Sequence, residues 1–213
     1  MTEAQRRALA RLWPRYGVAL GDAPLVPAVL FRRAAPVILE IGFGNGDALV
    51  AAAASQPDHD FLGVEVHRPG VGSLLLKLAD AGIENVRVIV ADANDVLARL
   101  TPGTLQGVHL FFPDPWPKKR HHKRRLLQPA FAARLREVLA PGGYLHCATD
   151  WEEYAAHMLA VLEATPGFVN AAGAGRYTER PASRPMTRFE RRGQAEGRPV
   201  RDLVFRRMEP SAR

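Results

Sequence analysis

Residues 108–125 hold the densest chemistry in the chain. An apolar run, Val108-His109-Leu110-Phe111-Phe112, enters Pro113-Asp114-Pro115-Trp116-Pro117 and then Lys118-Lys119-Arg120-His121-His122-Lys123-Arg124-Arg125. Proline fixes its own φ and restricts the residue before it, so Asp114 and Trp116 are expected in a stiff, preorganised loop. A carboxylate held this way serves a reaction by orienting a partner and by stabilising positive charge as it develops. The indole has two readings, a platform for a base or a packing anchor. The block behind it carries six cations and no acid, which suits the phosphates of a nucleic acid, whose counterions such cations displace. Four further acids, Glu40, Glu65, Asp92 and Asp150, stand at the ends of apolar runs, and Gly42-Phe43-Gly44-Asn45-Gly46 forms a loop whose backbone can approach a ligand closely.

These residues converge only if strands and helices alternate. Apolar runs at 37–41, 61–66, 86–90, 108–112 and 144–148 read as strands. Helical patterns fill 48–55, 72–81, 96–100 and 129–139, with Phe131, Leu135 and Val138 on one face and Pro141-Gly142-Gly143 as the stop. A helix at 151–164 and a strand at 200–206 would extend the sheet. The alternation predicts an α/β fold with a doubly wound, mostly parallel sheet in a three-layer α/β/α sandwich. A length of 213 residues favours one domain. Pro14, Pro24 and Pro27 break the chain before Pro36 and leave a short helical stretch at 5–13. Residues 1–35 therefore read as an N-terminal extension and 36–213 as a single domain, with basic segments at 118–125 and 176–207.

Composition narrows the classes. With 47% hydrophobic and 24% charged residues, wholesale disorder is excluded. The longest apolar run, 48–54, is far short of the ~20 residues that cross a bilayer, and the N-terminus lacks a secretory apolar core. A cytoplasmic protein without membrane attachment is expected. Cys147 is the single cysteine, and His121-His122 have no third ligand at metal spacing, so no metal is expected. The net charge of +7 is unevenly spread: six cations lie in 118–125, ten Arg face four acids in 176–207, and the remainder holds 13 basic and 18 acidic residues. A basic face on an acidic body points to a polyanionic partner.

In doubly wound sheets ligands bind beyond the carboxyl ends of the strands, and here those ends are acidic. Position 47 carries Asp where a dinucleotide fingerprint needs Gly or Ala, and a carboxylate in the first helical turn repels a pyrophosphate. NAD and FAD are disfavoured; a nucleoside bearing a sulfonium and an ammonium, S-adenosylmethionine, suits the acids better. Glu65 is then placed for the ribose hydroxyls and Asp92 for the adenine amino group. Gly42, Gly44 and Gly46 would bring backbone against the ligand.

Four blocks are similar to the bacterial tRNA (guanine-N7)-methyltransferase family, a Rossmann-like class I group. They are Leu39-Glu40-Ile41-Gly42-Phe43-Gly44-Asn45-Gly46; Phe112 through His121; Ala148-Thr149-Asp150-Trp151; and Thr187-Arg188-Phe189-Glu190-Arg191-Arg192-Gly193-Gln194. Leu12-Trp13-Pro14-Arg15-Tyr16-Gly17 resembles the family as well. The resemblance implies that Glu40, Glu65, Asp92 and Asp114 bind S-adenosylmethionine, which leaves as S-adenosylhomocysteine. It also implies that Lys118, Asp150, Thr187, Arg188, Phe189 and Glu190 form the guanosine pocket, and that Arg120, His121, His122, Lys123, Arg124 and Arg125 contact RNA. The implied substrate is a guanine in the tRNA variable loop, with no obligatory protein partner. Guanine N7 offers an in-plane lone pair and needs no proton removed, so Asp114, the catalytic candidate, is expected to act electrostatically. Competing readings are a methyltransferase for another nucleic acid or a small acidic molecule, and a non-catalytic RNA-binding subunit.

Overall fold

The computed structural model describes residues 1–182, 184–186, 190–191 and 197–209. Five strands, β1 (Val37–Ile41), β2 (Asp60–Val64), β3 (Val86–Ile89), β4 (Leu105–Phe111) and β5 (Leu139–Thr149), run parallel. Two more, β6 (Phe168–Asn170) and β7 (Arg201–Arg207), complete a seven-stranded sheet in the order β3-β2-β1-β4-β5-β7-β6. β7 is antiparallel to both of its neighbours, β5 and β6. Every residue of β1 and β2 is buried, as parallel strands must be when helices cover both faces.

One face carries α1 (Glu3–Tyr16), α3 (Asp47–Ser55) and α4 (Arg68–Asp80), whose Leu9, Leu49, Leu74 and Leu78 pack on Ile38, Phe61 and Val88. The other carries α5 (Ala93–Arg99), α6 (Pro129–Val138) and α7 (Glu152–Glu163), joined by Leu39, Val64, Val108 and Leu145. The short α2 (Pro27–Phe31) adds Phe31 to that second cluster. Thr2 and Gln5 form a reciprocal capping box on α1, which explains why this helix starts earlier than the 5–13 stretch expected; nor does Pro14 break it, since the helix continues through Pro14 to Tyr16. Residues 1–35 lie against the sheet: Gly17 bridges Val88, Leu25 bridges Leu100, and Gly72 lets α4 approach Gln5 closely.

Two further elements differ from expectation. Pro141-Gly142-Gly143 does not end α6; the helix stops at Val138, and the Pro-Gly-Gly segment lies inside β5, where the register jumps from Leu105↔Leu139 to Gly107↔Tyr144. Gly142, at φ +74°, supplies the left-handed residue at this irregularity. β6 has three residues, too few to show an alternation.

Candidate active site

Beyond β1 the chain turns through Gly42, Gly44 and Gly46 at φ +73°, +56° and +79°. At Gly46 a Cβ would also lie 2.5 Å from Leu74 Cδ1, so both the conformation and the space demand glycine. Glu65, just past β2, braces this loop. Its Oε2 accepts from Gly44 N–H at 2.9 Å, and Oε1 accepts from Val66 and His67 N–H at 2.8 and 2.9 Å. Three of about four acceptor positions on the carboxylate are thus used by backbone. Asp92 caps α5 by accepting from Asn94 N–H at 2.8 Å and faces the same crevice, so capping and crevice wall are one role. That crevice, about 440 Å³, is lined by Gly42, Glu65, Asp92, Phe112, Asp114 and Trp116 among others, a size suited to a nucleoside.

Glu40 stands apart from it. Its side chain, from the penultimate residue of β1, is 3% exposed and turns into a small neighbouring cavity with His109, His146 and Arg184. Glu40 Oε2 and His109 Nδ1 lie 4.0 Å apart, and neither has a hydrogen-bond partner among the described residues. A buried carboxylate oxygen without a donor is costly, and a cationic group such as the ammonium of S-adenosylmethionine would relieve it. The nucleoside-sized crevice edged by Glu65 and Asp92 fits that cofactor, whereas the cavity at Glu40, about 10 Å³, has room for about one water. On its other side His109 shares a 3.0 Å hydrogen bond with the Tyr144 hydroxyl, whose pKa burial pushes up to about 12.

Asp114 is exposed at the crevice rim, between two residues in the left-handed region, Phe112 at φ +51° and Trp116 at φ +44°. Each costs about 1–2 kcal/mol for an L-residue, so other contacts must hold the loop. Phe112 N–H donates to Ala148 O at 2.7 Å, and Arg125 Nε donates to Pro115 O at 2.8 Å. Arg125 is the correction to the expected RNA contacts: it is 3% exposed, its guanidinium over the Tyr154 ring and 3.4 Å from Glu153. The 3-10 helix Lys119–Arg124 ends just before it, and its side chain turns inward against α7. His122 is half-buried with its Nε2 3.2 Å from Glu153. Lys118, Lys119, Arg120 and Lys123 are exposed, as is Arg124, which lies over the Trp116 ring at 5.1 Å, while His121 meets that ring edge-on at 5.8 Å.

Gly42, Glu65, Asp92 and Asp114 thus share one crevice, Glu40 turns into the separate small cavity, and Gly44, Gly46, Lys118 and Asp150 lie outside the crevice lining. Asp150 pairs with Arg198 at 2.9 Å. Thr187, Arg188 and Phe189 lie outside the described residues. Glu190 is 1% exposed and forks onto Arg184. Among the described residues no group of three or more His, Cys, Asp or Glu is placed to hold a metal, and no helix is long and apolar enough to cross a membrane.

Sequence reasoning missed the buried polar set behind the crevice: His109, Tyr144, His146, Arg184 and Asp202. Its signal was present, since a histidine interrupts the apolar run of β4 and another that of β5. Burial lowers the His146 pKa although its bond to Asp202 opposes this. Burial works to raise the Asp202 carboxyl, but hydrogen bonds from His146 and Arg184 outweigh it and hold the group below its ordinary value.

A family model described as "Putative methyltransferase" matches residues 34–203. A curated tRNA (guanine-N(7)-)-methyltransferase from Saccharophagus degradans is 52% identical over 208 residues, 97% of this chain and 91% of that protein. One from Nitrosococcus oceani is 54% identical, covering 97% and 86%. Among solved structures, a SAM dependent methyltransferase from Aquifex aeolicus superposes with a TM-score of 0.56 at 17% identity, over 81% of this chain and 82% of that one, a likeness of fold.

Proposed function

Because the chain belongs to the tRNA (guanine-N7)-methyltransferase family, we propose that its crevice serves methyl transfer from S-adenosylmethionine to N7 of a guanine in tRNA, with S-adenosylhomocysteine released. The observation that carries this reading is the position of Asp114, on the rim of a nucleoside-sized, acid-lined crevice and directly before the exposed basic 3-10 helix. When bound, the cofactor supplies an electrophilic methyl group on a sulfonium. Glu40 would hold its ammonium, Glu65 and Asp92 its ribose and adenine edges, and the Gly42–Gly46 loop would keep side chains out of its way.

Guanine N7 is a neutral nucleophile, so no residue need remove a proton before transfer. Positive charge grows on the base instead. Asp114, fixed between two prolines, lowers the energy of that charge and orients the base, which is electrostatic rather than acid–base catalysis. Lys118, Lys119, Arg120, Lys123 and Arg124 would carry the RNA backbone, and Lys118, Asp150 and the 187–190 segment the acceptor base. The variable loop as the target, the cytoplasm as the compartment and independence from a protein partner complete the reading. Its test is incubation with unmodified tRNA and labelled S-adenosylmethionine, followed by mass analysis of the nucleosides. Label in 7-methylguanosine is the expected result; label in any other nucleoside overturns it.

A further inference from the structure

Arg184 is 2% exposed, and two carboxylates engage its guanidinium as a pair of forks. Nη1 and Nη2 donate to Glu190 Oε2 and Oε1 at 2.7 and 3.0 Å; Nε and Nη2 donate to Asp202 Oδ1 and Oδ2 at 2.7 and 3.0 Å. Asp202 sits in β7 opposite Ala148 of β5, and His146 Nε2 donates to its Oδ1 at 2.7 Å. The same guanidinium lies 5.9 and 5.8 Å from the Phe111 and Phe112 rings, the last two side chains before the Asp114 loop. It also lines the cavity that holds Glu40, about 10 Å³, which is room for about one water. One side chain therefore touches the rigid sheet, the strand end that aims Asp114, the cavity of the cofactor-side carboxylate and the segment carrying Glu190.

Stability alone explains this poorly, because a buried ion cluster is often no more stabilising than apolar residues of equal volume. Geometry explains it better: a planar fork with fixed donor directions specifies angle as well as distance, which an ammonium does not. We infer that Arg184 is a positioning residue that holds Glu190 at a fixed distance and angle from β7 and from the strand end that carries the Asp114 loop, and that Glu190 acts through Arg184 rather than on the base. This rests on the tRNA methyl-transfer reading and revises the base contact implied for Glu190.

The test compares Arg184→Lys, Glu190→Gln, their double variant and Asp202→Asn, with S-adenosylmethionine affinity by calorimetry and single-turnover kcat and KM on tRNA. Arg184→Lys is expected to keep cofactor affinity within about 3-fold and to lose roughly 30-fold or more in kcat/KM on tRNA, since misplacement by about 1 Å costs up to about 10²-fold. Glu190→Gln, costly alone, should cost less than about 3-fold more in the Arg184→Lys background, the non-additivity of residues acting as one unit. Should Arg184→Lys not fold, Asp202→Asn decides the matter: it releases the fork from the sheet, away from any substrate, and should show the same split. Wild-type turnover in either variant overturns the inference, as does a parallel fall in cofactor affinity and turnover. Fully multiplicative losses for Arg184→Lys and Glu190→Gln overturn it too, by placing Glu190 on the base. If wild-type enzyme methylates a position other than N7, the functional reading falls while the same split, measured on that position, still decides the role of Arg184.

Discussion

In the β3-β2-β1-β4 half of the sheet the atoms facing the crevice come from turns directly behind each strand: Gly42 after β1, Glu65 after β2, Asp92 after β3, Asp114 after β4. In the β5-β7 half the polar groups are assembled from afar. Arg184 meets Asp202 across 18 residues of sequence and His146 meets Asp202 across 56. The first half is also open and under-satisfied, with a strained loop and a Glu40 oxygen that has no hydrogen-bond partner among the described residues; the second is closed and paired. A ligand site needs unfilled valences on a rigid frame, and the two halves divide those duties.

Four experiments would break or sharpen that division. The largest effect is expected at the open half, where Asp114→Asn should lower single-turnover kcat about 10²-fold or more by analogy with loss of one preorganised electrostatic partner. Its cofactor affinity should stay within a few-fold, and the pH dependence of the remaining rate should be unchanged, because no proton is abstracted. Unaltered turnover would remove Asp114 from the reaction. Next, Glu40→Gln deletes the charge on the unpartnered oxygen and should weaken S-adenosylmethionine binding roughly 10-fold or more, the worth of a charge-assisted hydrogen bond. Equal affinity by calorimetry would mean that Glu40 only fills the cavity.

The basic run contains both behaviours within a few residues. Replacing exposed Lys119, Arg120 and Lys123 with Ala should flatten the slope of log affinity for tRNA against log salt by about 2–3, at roughly 0.7–0.9 per phosphate contact. Arg125→Ala should leave that slope alone and lower turnover through the Pro115 carbonyl it releases. A slope change from Arg125 would contradict its burial. The smallest effect concerns the closed half. With the folded His146 pKa lowered from the ordinary imidazole value of about 6.5, the unfolded chain takes a proton there before the folded one does. Stability from this group is complete above about pH 6.5 and declines as pH falls through the lower folded value; Asp202, also lowered, adds a loss in the same direction at more acidic pH. Tm should therefore fall on acidification below neutrality, and His146→Gln should blunt the fall.

The division also explains what could be read from the chain. Parallel strands buried on both faces announce themselves as apolar runs, and the residue that ends each one is local to it, so Glu65, Asp92 and Asp114 were recognisable without tertiary information. Six adjacent cations are equally plain, but which of them face solvent is not: Arg125 turns inward because α7, some 28 residues later, supplies Glu153, and nothing near Arg125 encodes that. The Arg184 cluster escaped for the same reason. Its members are ordinary singly, and only the antiparallel insertion of β7 between β5 and β6 brings them together. β6 and the early start of β5 were hidden because three residues and a bulge carry no periodicity.

The most direct test of the central claim uses a single atom of the substrate. A tRNA whose acceptor guanosine is replaced by 7-deazaguanosine keeps every phosphate and the Watson–Crick edge but has carbon in place of N7. With labelled S-adenosylmethionine the unmodified tRNA is expected to take up one methyl equivalent, and the 7-deaza tRNA none, while binding to the basic face with unchanged affinity. Methyl incorporation into the 7-deaza tRNA would contradict the account.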